Sequence, residues 1–322
     1  MLTIRSARPT TQSWRALAAG CAAATVLGAG ACSADATPGA GKVEIIGSFY
    51  PMAWVARRVA GPAASVATLT KPGAEPHDLE LTPRQIVTVG QADLVLYIKG
   101  LQPAVDQAVD RHAKDKAIDA SSLVRTLPAT TATTATTGAG DAGAASGGTG
   151  DRDPHLWLDP SRLATVARAV GARLAKDDPA HATTYDDNAR ALAADLHALD
   201  GEFAAALHGC RHKVLVTSHA AFGYLADRYG LSQLSVAGID PQNEPSPRRL
   251  AELTGVIRRT GVTTVFTETL VSAKVAQTLA REAGVSTATL DPVEGLPAGS
   301  KADYLSIMRR NLQTLRTALE CS

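Results

Sequence analysis

The sequence has few aromatic residues, few cysteines and almost no net charge, and each shortage argues against a class of function. Aromatic side chains make up 4% of the 322 residues, and the formal net charge is +1. A charge balance so close to zero gives no electrostatic support to nucleic-acid binding. None of the four cysteines belongs to a CxxC pair. A thiolate zinc cluster or a thioredoxin-like redox motif is therefore not supported.

Several enzyme motifs are also missing. The chain contains no HExxH and no Gly-x-Ser-x-Gly, and no glycine-rich phosphate loop follows a predicted strand. These motifs mark zinc peptidases, serine hydrolases and nucleotide-binding proteins. The remaining enzymatic alternative is a zinc hydrolase with dispersed ligands, in which Glu268 or Glu75 would serve as the base.

The first 31 residues have the composition of an export signal. Arg5, Arg8 and Arg15 form a basic start, and Ala16–Ala31 is a small-residue apolar run, too short and too rich in alanine to span a membrane convincingly. We predict a signal peptide over residues 1–31 and a small-residue tether over 32–42. These predictions imply that the protein is exported.

Two readings of the cleavage site remain open. Ala29 and Ala31 fit ordinary signal-peptide cleavage, whereas Ala29-Gly30-Ala31-Cys32 resembles a bacterial lipobox, with alanine where leucine is usual. Cysteine parity favours the second reading. If Cys32 is acylated, Cys210 and Cys321 remain as a pair for a disulfide in an oxidising compartment. We therefore predict a lipid anchor on Cys32 at the outer side of the cell membrane, and a Cys210–Cys321 bridge.

Apolar runs and helix signals alternate along the rest of the chain, which predicts an α/β fold with mostly parallel sheets. A run of Thr, Ala and Gly over 126–150 cannot form a core and is expected to be a flexible loop. An apolar stripe predicts a helix over 179–208, long enough to join two lobes. The predicted parts are an N-terminal lobe over 43–159, linking helices over 160–209 and a C-terminal lobe over 210–322, with a cleft between the lobes.

Three histidines lie at predicted junctions before helices. His77 lies in Glu75-Pro76-His77-Asp78, His155 in Asp153-Pro154-His155-Leu156-Trp157-Leu158-Asp159-Pro160, and His219 in Thr217-Ser218-His219-Ala220. Three imidazoles and one carboxylate suit four-coordinate Zn²⁺. Asp291, which ends an apolar strand, is the first candidate for the carboxylate, Glu268 the second and Glu75 the third. Dispersed histidines alone carry little specificity.

The loops around these histidines resemble those of the cluster A-I solute-binding proteins, which serve zinc and manganese ABC importers of bacteria. The resemblance rests on Gly73–Pro83, Asp153–Pro160, Ser218–Tyr224, Glu244-Pro245-Ser246 and Leu290-Asp291-Pro292. It implies two α/β lobes joined by a long helix, and the ligands His77, His155, His219 and Asp291. It also implies a monomeric binding protein, not an enzyme, that delivers metal to a permease and its ATPase.

The residue type at position 219 indicates which of the two metals is bound. Manganese-type members of the family carry glutamate where His219 stands, and imidazole suits zinc better than manganese. The resemblance therefore implies zinc, with a manganese-binding homologue as the alternative. Many zinc-type members have a histidine-rich loop between the first two ligands, but residues 126–150 contain no histidine. Metal capture by this loop is not expected.

Overall fold

The computed structural model describes residues 42–129 and 152–322, in which eight strands form two parallel sheets. The first contains β1 (Val43–Gly47), β2 (Ala64–Thr68), β3 (Leu94–Tyr97) and β4 (Ala117–Asp119), in the order β2-β1-β3-β4. The second contains β5 (Val214–Thr217), β6 (Ser232–Ser235), β7 (Thr264–Thr267) and β8 (Ser286–Thr289), in the order β6-β5-β7-β8. The two sheets thus share one strand order, and the α/β prediction is confirmed.

Helices follow the strands in both halves of the chain. They are α1 (Tyr50–Ala60), α2 (Pro83–Gln91), α3 (Pro103–His112), α4 (Pro160–Asp177), α5 (Ala182–Leu207), α6 (Gly223–Tyr229), α7 (Pro247–Thr260), α8 (Lys274–Ala283) and α9 (Tyr304–Ala318). Proline near the first turn fixes the start of α1, α2, α3, α4 and α7. Asp159 caps α4 by accepting hydrogen bonds from the backbone N–H groups of Ser161 and Arg162. No helix in the described ranges has the length and hydropathy needed to cross a bilayer.

The long helix is present but begins later than predicted. Pro179–His181 form a single 3-10 turn, and the α-helix runs over Ala182–Leu207, which is about 39 Å at 1.5 Å per residue. The turn is tightened by Asp178, whose carboxylate lies 2.6 Å from Nδ1 of His181 and accepts a hydrogen bond from the hydroxyl of Tyr185 at 2.7 Å. The helix contacts α1, α4, α6 and α9.

The main hydrophobic core runs through both halves of the chain. It joins Ile45 and Leu94 of the first sheet to Leu215 and Phe266 of the second, with the buried stripe of α5 between them. Smaller clusters cover the other face of each sheet: one involves α2 and α3, the other α7 and α8. Residues from Lys42 onwards group into one compact unit. The lobe limits at residues 159 and 209 remain a prediction.

Several predicted features lie outside the described residues. They are the signal peptide over 1–31, the Cys32 anchor, the tether up to residue 41 and most of the 126–150 loop. The first residues of that loop are packed, which differs from the prediction. The backbone N–H of Leu127 donates to the hydroxyl of Tyr224 at 3.0 Å, and Pro128 pairs with Arg152 in an antiparallel bridge. Leu127 is apolar and contacts the main core, which separates it from the Thr, Ala and Gly that follow.

Cys210 and Cys321 are paired in the structure, across 111 residues of sequence. The pair ties the segment that follows α9 to the segment that leads into β5, next to the backbone hydrogen bond from His212 to Leu319. Replacing both cysteines by serine should lower the free energy of unfolding by up to about 5 kcal/mol, because closing so long a loop restricts the unfolded chain. Urea unfolding monitored by circular dichroism measures the change.

The control for this prediction is chemical reduction. Dithiothreitol should lower the unfolding midpoint of the unchanged protein and leave that of the Cys210→Ser/Cys321→Ser variant where it is. Two free thiols in the unfolded, unreduced protein, counted on a chain that begins at Ser33, would show that the bridge does not form.

Candidate metal site

Four buried side chains from distant parts of the chain meet at the carboxyl ends of the strands. They are His77, His155, His219 and Glu294, whose nearest nitrogen and oxygen atoms all lie within 4.8 Å of one another. The four residues are between 0% and 7% exposed. The structure therefore brings the three predicted histidines together, with a carboxylate that was not predicted.

The loop after β2 carries His77. The carboxylate of Glu75 folds back and accepts a hydrogen bond from the backbone N–H of His77 at 3.0 Å, and the Gln102 side chain donates to the carbonyl of Pro76 at 3.2 Å. The backbone N–H of Gly73 donates to the carbonyl of Leu296 at 2.8 Å. This loop is thus joined to the segment that carries Glu294. Glu75, the third candidate carboxylate, acts within the turn.

His155 is held by the acid two residues before it. The backbone N–H of His155 donates to Oδ1 of Asp153 at 2.9 Å, and Nδ1 of the ring lies 2.7 Å from the same oxygen. Asp153 is fixed in turn by the hydroxyl of Tyr224, which donates to its carbonyl at 2.8 Å. Gly223 leaves room for this carboxylate, because a Cβ there would lie 2.5 Å from Oδ2 of Asp153. Trp157 is buried beneath the imidazole.

His219 follows β5 and is oriented by Glu268, which follows the neighbouring strand β7. The two oxygens of Glu268 lie 3.0 Å from the backbone nitrogen and 2.5 Å from Nδ1 of His219. In the strand order β6-β5-β7-β8, connections from β5 and β7 leave in opposite directions, which is where open α/β sheets form binding crevices. Glu268, the second candidate carboxylate, therefore lies behind the imidazole and not among the four clustered groups.

Asp291 does not join the cluster, and its selection as the fourth ligand is corrected. Its Oδ1 accepts a hydrogen bond from the backbone N–H of Val293 at 2.8 Å, which forms a tight turn. The Asn311 side chain bonds to both backbone groups of Asp291, accepting at 2.9 Å and donating at 2.6 Å. Asp291 thus shapes the turn that leads to Glu294.

The same turn is held in an uncommon backbone conformation. Val293 is fully buried and has φ of +58°, which is rare for a β-branched residue. The indole N–H of Trp157 donates to the carbonyl of Pro292 at 2.8 Å. With the contacts of Asp291, these bonds stabilise a conformation that is costly on its own. The result places the Glu294 carboxylate among the three imidazoles.

Oε1 of Glu294 is shared by the three rings. It lies 3.4 Å from Nε2 of His77, 3.4 Å from Nε2 of His155 and 3.3 Å from Nε2 of His219. The Nε2 atoms of His155 and His219 are buried, and in the described part of the chain neither makes a hydrogen bond of acceptable geometry. Buried imidazole nitrogens are expensive to leave unpaired. Their convergence on one point is the arrangement that a metal ion would satisfy.

Charge in the site favours ionised carboxylates. Burial opposes ionisation of Glu294, but the charge of His219 and the close approach of all three imidazoles outweigh it and hold the pKa of Glu294 well below its ordinary value. Burial likewise acts to lower the pKa of His219, yet Glu268 and Glu294 raise that pKa well above 6.5. Asp153 similarly raises the pKa of His155 against the effect of burial. The site is thus rich in negative charge directed at the imidazoles.

Glu294 was not predicted as a ligand because Asp291, the first acid after the strand, carries the stronger sequence signal. Asp291 ends an apolar run, whereas Glu294 lies three residues further on, between Val293 and Gly295. The available signal was weak: a second acid in the same short loop, followed by glycine. A Cβ at Gly295 would lie 3.1 Å from Leu270, so the glycine allows close packing next to Glu294.

The chain matches known proteins over most of its length. A profile of the family described as zinc-uptake complex component A, periplasmic (ZnuA), matches residues 45–318. The zinc-binding protein AdcA of Streptococcus pyogenes is 36% identical over 296 residues, covering 86% of this chain and 56% of AdcA. The high-affinity zinc uptake system protein ZnuA of Bacillus subtilis is 33% identical over 310 residues, covering 92% of this chain and 95% of that protein.

A solved structure supports the same relationship. The crystal structure of the Zn(II)-bound ZnuA-like domain of Streptococcus pneumoniae AdcA has a TM-score of 0.72 at 32% identity, covering 87% of this chain and all of that domain. The chain spans only about half the length of the AdcA proteins that it matches. The extent of these matches agrees with the four-residue cluster and with the two sheets of the same strand order. This chain belongs to the ZnuA family of periplasmic zinc-uptake components.

Proposed function

We propose that this protein binds one Zn²⁺ outside the cytoplasm and delivers it to an ABC permease with its ATPase. The observation that carries the proposal is the buried cluster of three imidazoles and one carboxylate. Zinc accepts such a set at about 2.0–2.2 Å in tetrahedral geometry. The zinc-binding relatives and the Zn(II)-bound structure support the choice of metal. The ligands proposed are His77, His155, His219 and Glu294.

The ligand set favours zinc over manganese and transport over catalysis. Three nitrogen donors suit zinc, whereas manganese prefers oxygen ligands. A catalytic zinc keeps three protein ligands and an open position for water. Here a fourth protein group, Glu294, lies 3.3–3.4 Å from the three ring nitrogens and is itself buried. Four protein ligands would enclose the ion as cargo and leave no place for an attacking water.

The proposal also includes a membrane anchor for the protein and a way for the bound zinc to leave. A lipid on Cys32 would keep the protein at the membrane as a monomer, close to the permease, and a lipoprotein AdcA of Streptococcus pneumoniae supports this reading. Since the four ligands are buried, the ion can leave only if the loops separate. Zinc stabilises the closed arrangement because it binds that arrangement alone, so the permease must favour the opened one.

Substitutions that replace a carboxylate by an amide of similar size can distinguish the roles of Asp291 and Glu294. Glu294→Gln should weaken zinc affinity by roughly 100-fold or more, because it removes a ligand charge in a buried site. Asp291→Asn should change affinity by less than about tenfold, since asparagine can accept the same turn hydrogen bond. Competition with a chromogenic chelator measures both. A larger effect from Asp291→Asn than from Glu294→Gln would restore Asp291 as the ligand.

The carboxylates behind the rings should also affect affinity. Asp153→Asn and Glu268→Gln are each expected to weaken zinc binding by about 10–100-fold while the stoichiometry stays at one ion per chain, because carboxylates on Nδ1 orient the imidazoles and increase their basicity. Asp195→Asn, which alters only an exposed ion pair with Arg58, is the matched control. Unchanged zinc affinity in both site variants would show that these acids do not position the ligands.

Zinc binding should weaken as the pH falls. The ligands must be neutral imidazoles, so protons compete with the metal. Because Glu268 and Glu294 raise the pKa of His219 above 6.5, the metal-free site holds its proton at a higher pH than free histidine does. The loss of affinity should thus begin above pH 6.5 and reach about tenfold per pH unit for each proton displaced. Titrations between pH 5.5 and 8.5 test this; a constant affinity across the range would contradict it.

A further inference from the structure

A cavity of about 410 Å³ lies beside the metal site. Its lining includes Tyr50, Arg57, Thr68, Lys71 and Glu294. One wall is the loop that leads to His77 and the other is the segment that follows Glu294. The hydrogen bond from Gly73 to Leu296 joins these walls. The cavity therefore has two walls joined by a hydrogen bond and lies next to Glu294, a proposed zinc ligand.

Two cations face this cavity without an acidic partner. Among residues 42–129 and 152–322, neither Arg57 nor Lys71 forms an ion pair with a carboxylate. The Arg57 guanidinium donates to the hydroxyl of Thr68 at 2.9 Å. That hydroxyl, having accepted this bond, keeps its own hydrogen for another acceptor. Both residues are exposed and line the cavity, so a small ion can reach them.

A buried hydroxyl supplies another donor. In the described part of the chain, the phenolic oxygen of Tyr50 is buried and has no hydrogen-bond partner; the backbone of Tyr304 lies near it without bonding geometry. Burial, followed by the charge of Asp303, raises the pKa of Tyr50 above its ordinary value. The group therefore remains a neutral O–H donor. Buried hydroxyls without partners are uncommon and call for a ligand or water.

We propose that this cavity binds a small oxyanion, with the chemistry of phosphate or a carboxylate, and that it does so more tightly when zinc occupies the adjacent site. Arg57 and Lys71 supply the charge, and the hydroxyls of Tyr50 and Thr68 supply neutral donors. The proposal rests on the function proposed above, because the coupling arises from zinc. Zn²⁺ brings two positive charges to the three imidazoles and the Glu294 carboxylate. Even where it displaces a proton from His219, the site becomes more positive by one charge and attracts an anion more strongly.

The coupling is reciprocal. An anion that favours the zinc-loaded protein must increase zinc affinity by the same factor. The oxyanion would therefore retain the ion in the protein, and its loss at the permease would assist release. Because Glu294 and Asp303 repel an anion, the binding position should lie towards Arg57 and Lys71.

Isothermal titration of inorganic phosphate, and separately of acetate, into the full chain in detergent tests the proposal. Zinc-loaded and zinc-free protein are compared after the zinc content of each is measured. Saturable binding of phosphate or acetate is expected, about tenfold tighter to the zinc-loaded protein, as fits a gain of positive charge near a largely aqueous cavity. Lys71→Gln, whose side chain has no partner in the described residues, should weaken anion binding severalfold, and Arg57→Gln/Lys71→Gln should abolish it.

The control is the variant Lys114→Gln/Arg259→Gln, which removes the same charge from residues that do not line the cavity. Anion binding should be unchanged in this control. Saturation by neither anion, or equal affinity in the Arg57→Gln/Lys71→Gln variant, would overturn the proposal. Equal affinity of zinc-loaded and zinc-free protein would overturn the coupling. A protein that takes up no zinc would contradict the proposed function, whereas zinc-loaded protein that ignores both anions would contradict only this inference.

Discussion

The buried carboxylate of Glu294 is the group on which the site depends. A charged side chain that is 1% exposed is costly unless other groups compensate it, and here three imidazoles approach one of its oxygens. Asp153 and Glu268 lie behind two of these rings. The excess of negative charge repels itself in the absence of a cation. A divalent ion removes that repulsion and satisfies the ring nitrogens in one step, which is why the cluster is best explained as a metal site.

The position of Glu294 follows from contacts that lie outside the cluster. Asn311 on α9 fixes the backbone of Asp291, the Asp291 side chain fixes Val293, and Trp157 fixes Pro292. Each of these bonds is short and buried or partly buried, and together they offset the unfavourable backbone of Val293. Trp157 also lies beneath His155. The loops of two ligands are therefore coupled through one indole, and movement of either loop would disturb both.

The sequence predicted the two α/β halves, the long helix and the three histidines, because these leave local signals. Helix starts were marked by proline and capping residues, and the histidine loops contained distinctive motifs. The fourth ligand left no comparable signal. Asp291 and Glu294 lie in one loop, and hydrogen bonds of Val293, Asn311 and Trp157 determine which carboxylate turns inward. Which carboxylate turns inward thus depends on contacts with α9, and these contacts cannot be predicted from the residues of the loop itself. The delayed start of the long helix likewise depends on a side-chain pairing between Asp178 and Tyr185.

The two sheets share their strand order but contribute differently to the site. In the second sheet, β5 and β7 place His219 and Glu268 next to each other, so the imidazole and its carboxylate are fixed by adjacent strands. In the first sheet, His77 lies in a longer loop after β2, and its ring has Glu294 as its nearest acid. His77 is thus the ligand least supported by its own half of the chain. Because the helix α5 and the continuous core restrain the rest, opening for zinc exchange should begin at the His77 loop, and the Gly73–Leu296 hydrogen bond is the contact that this opening must break.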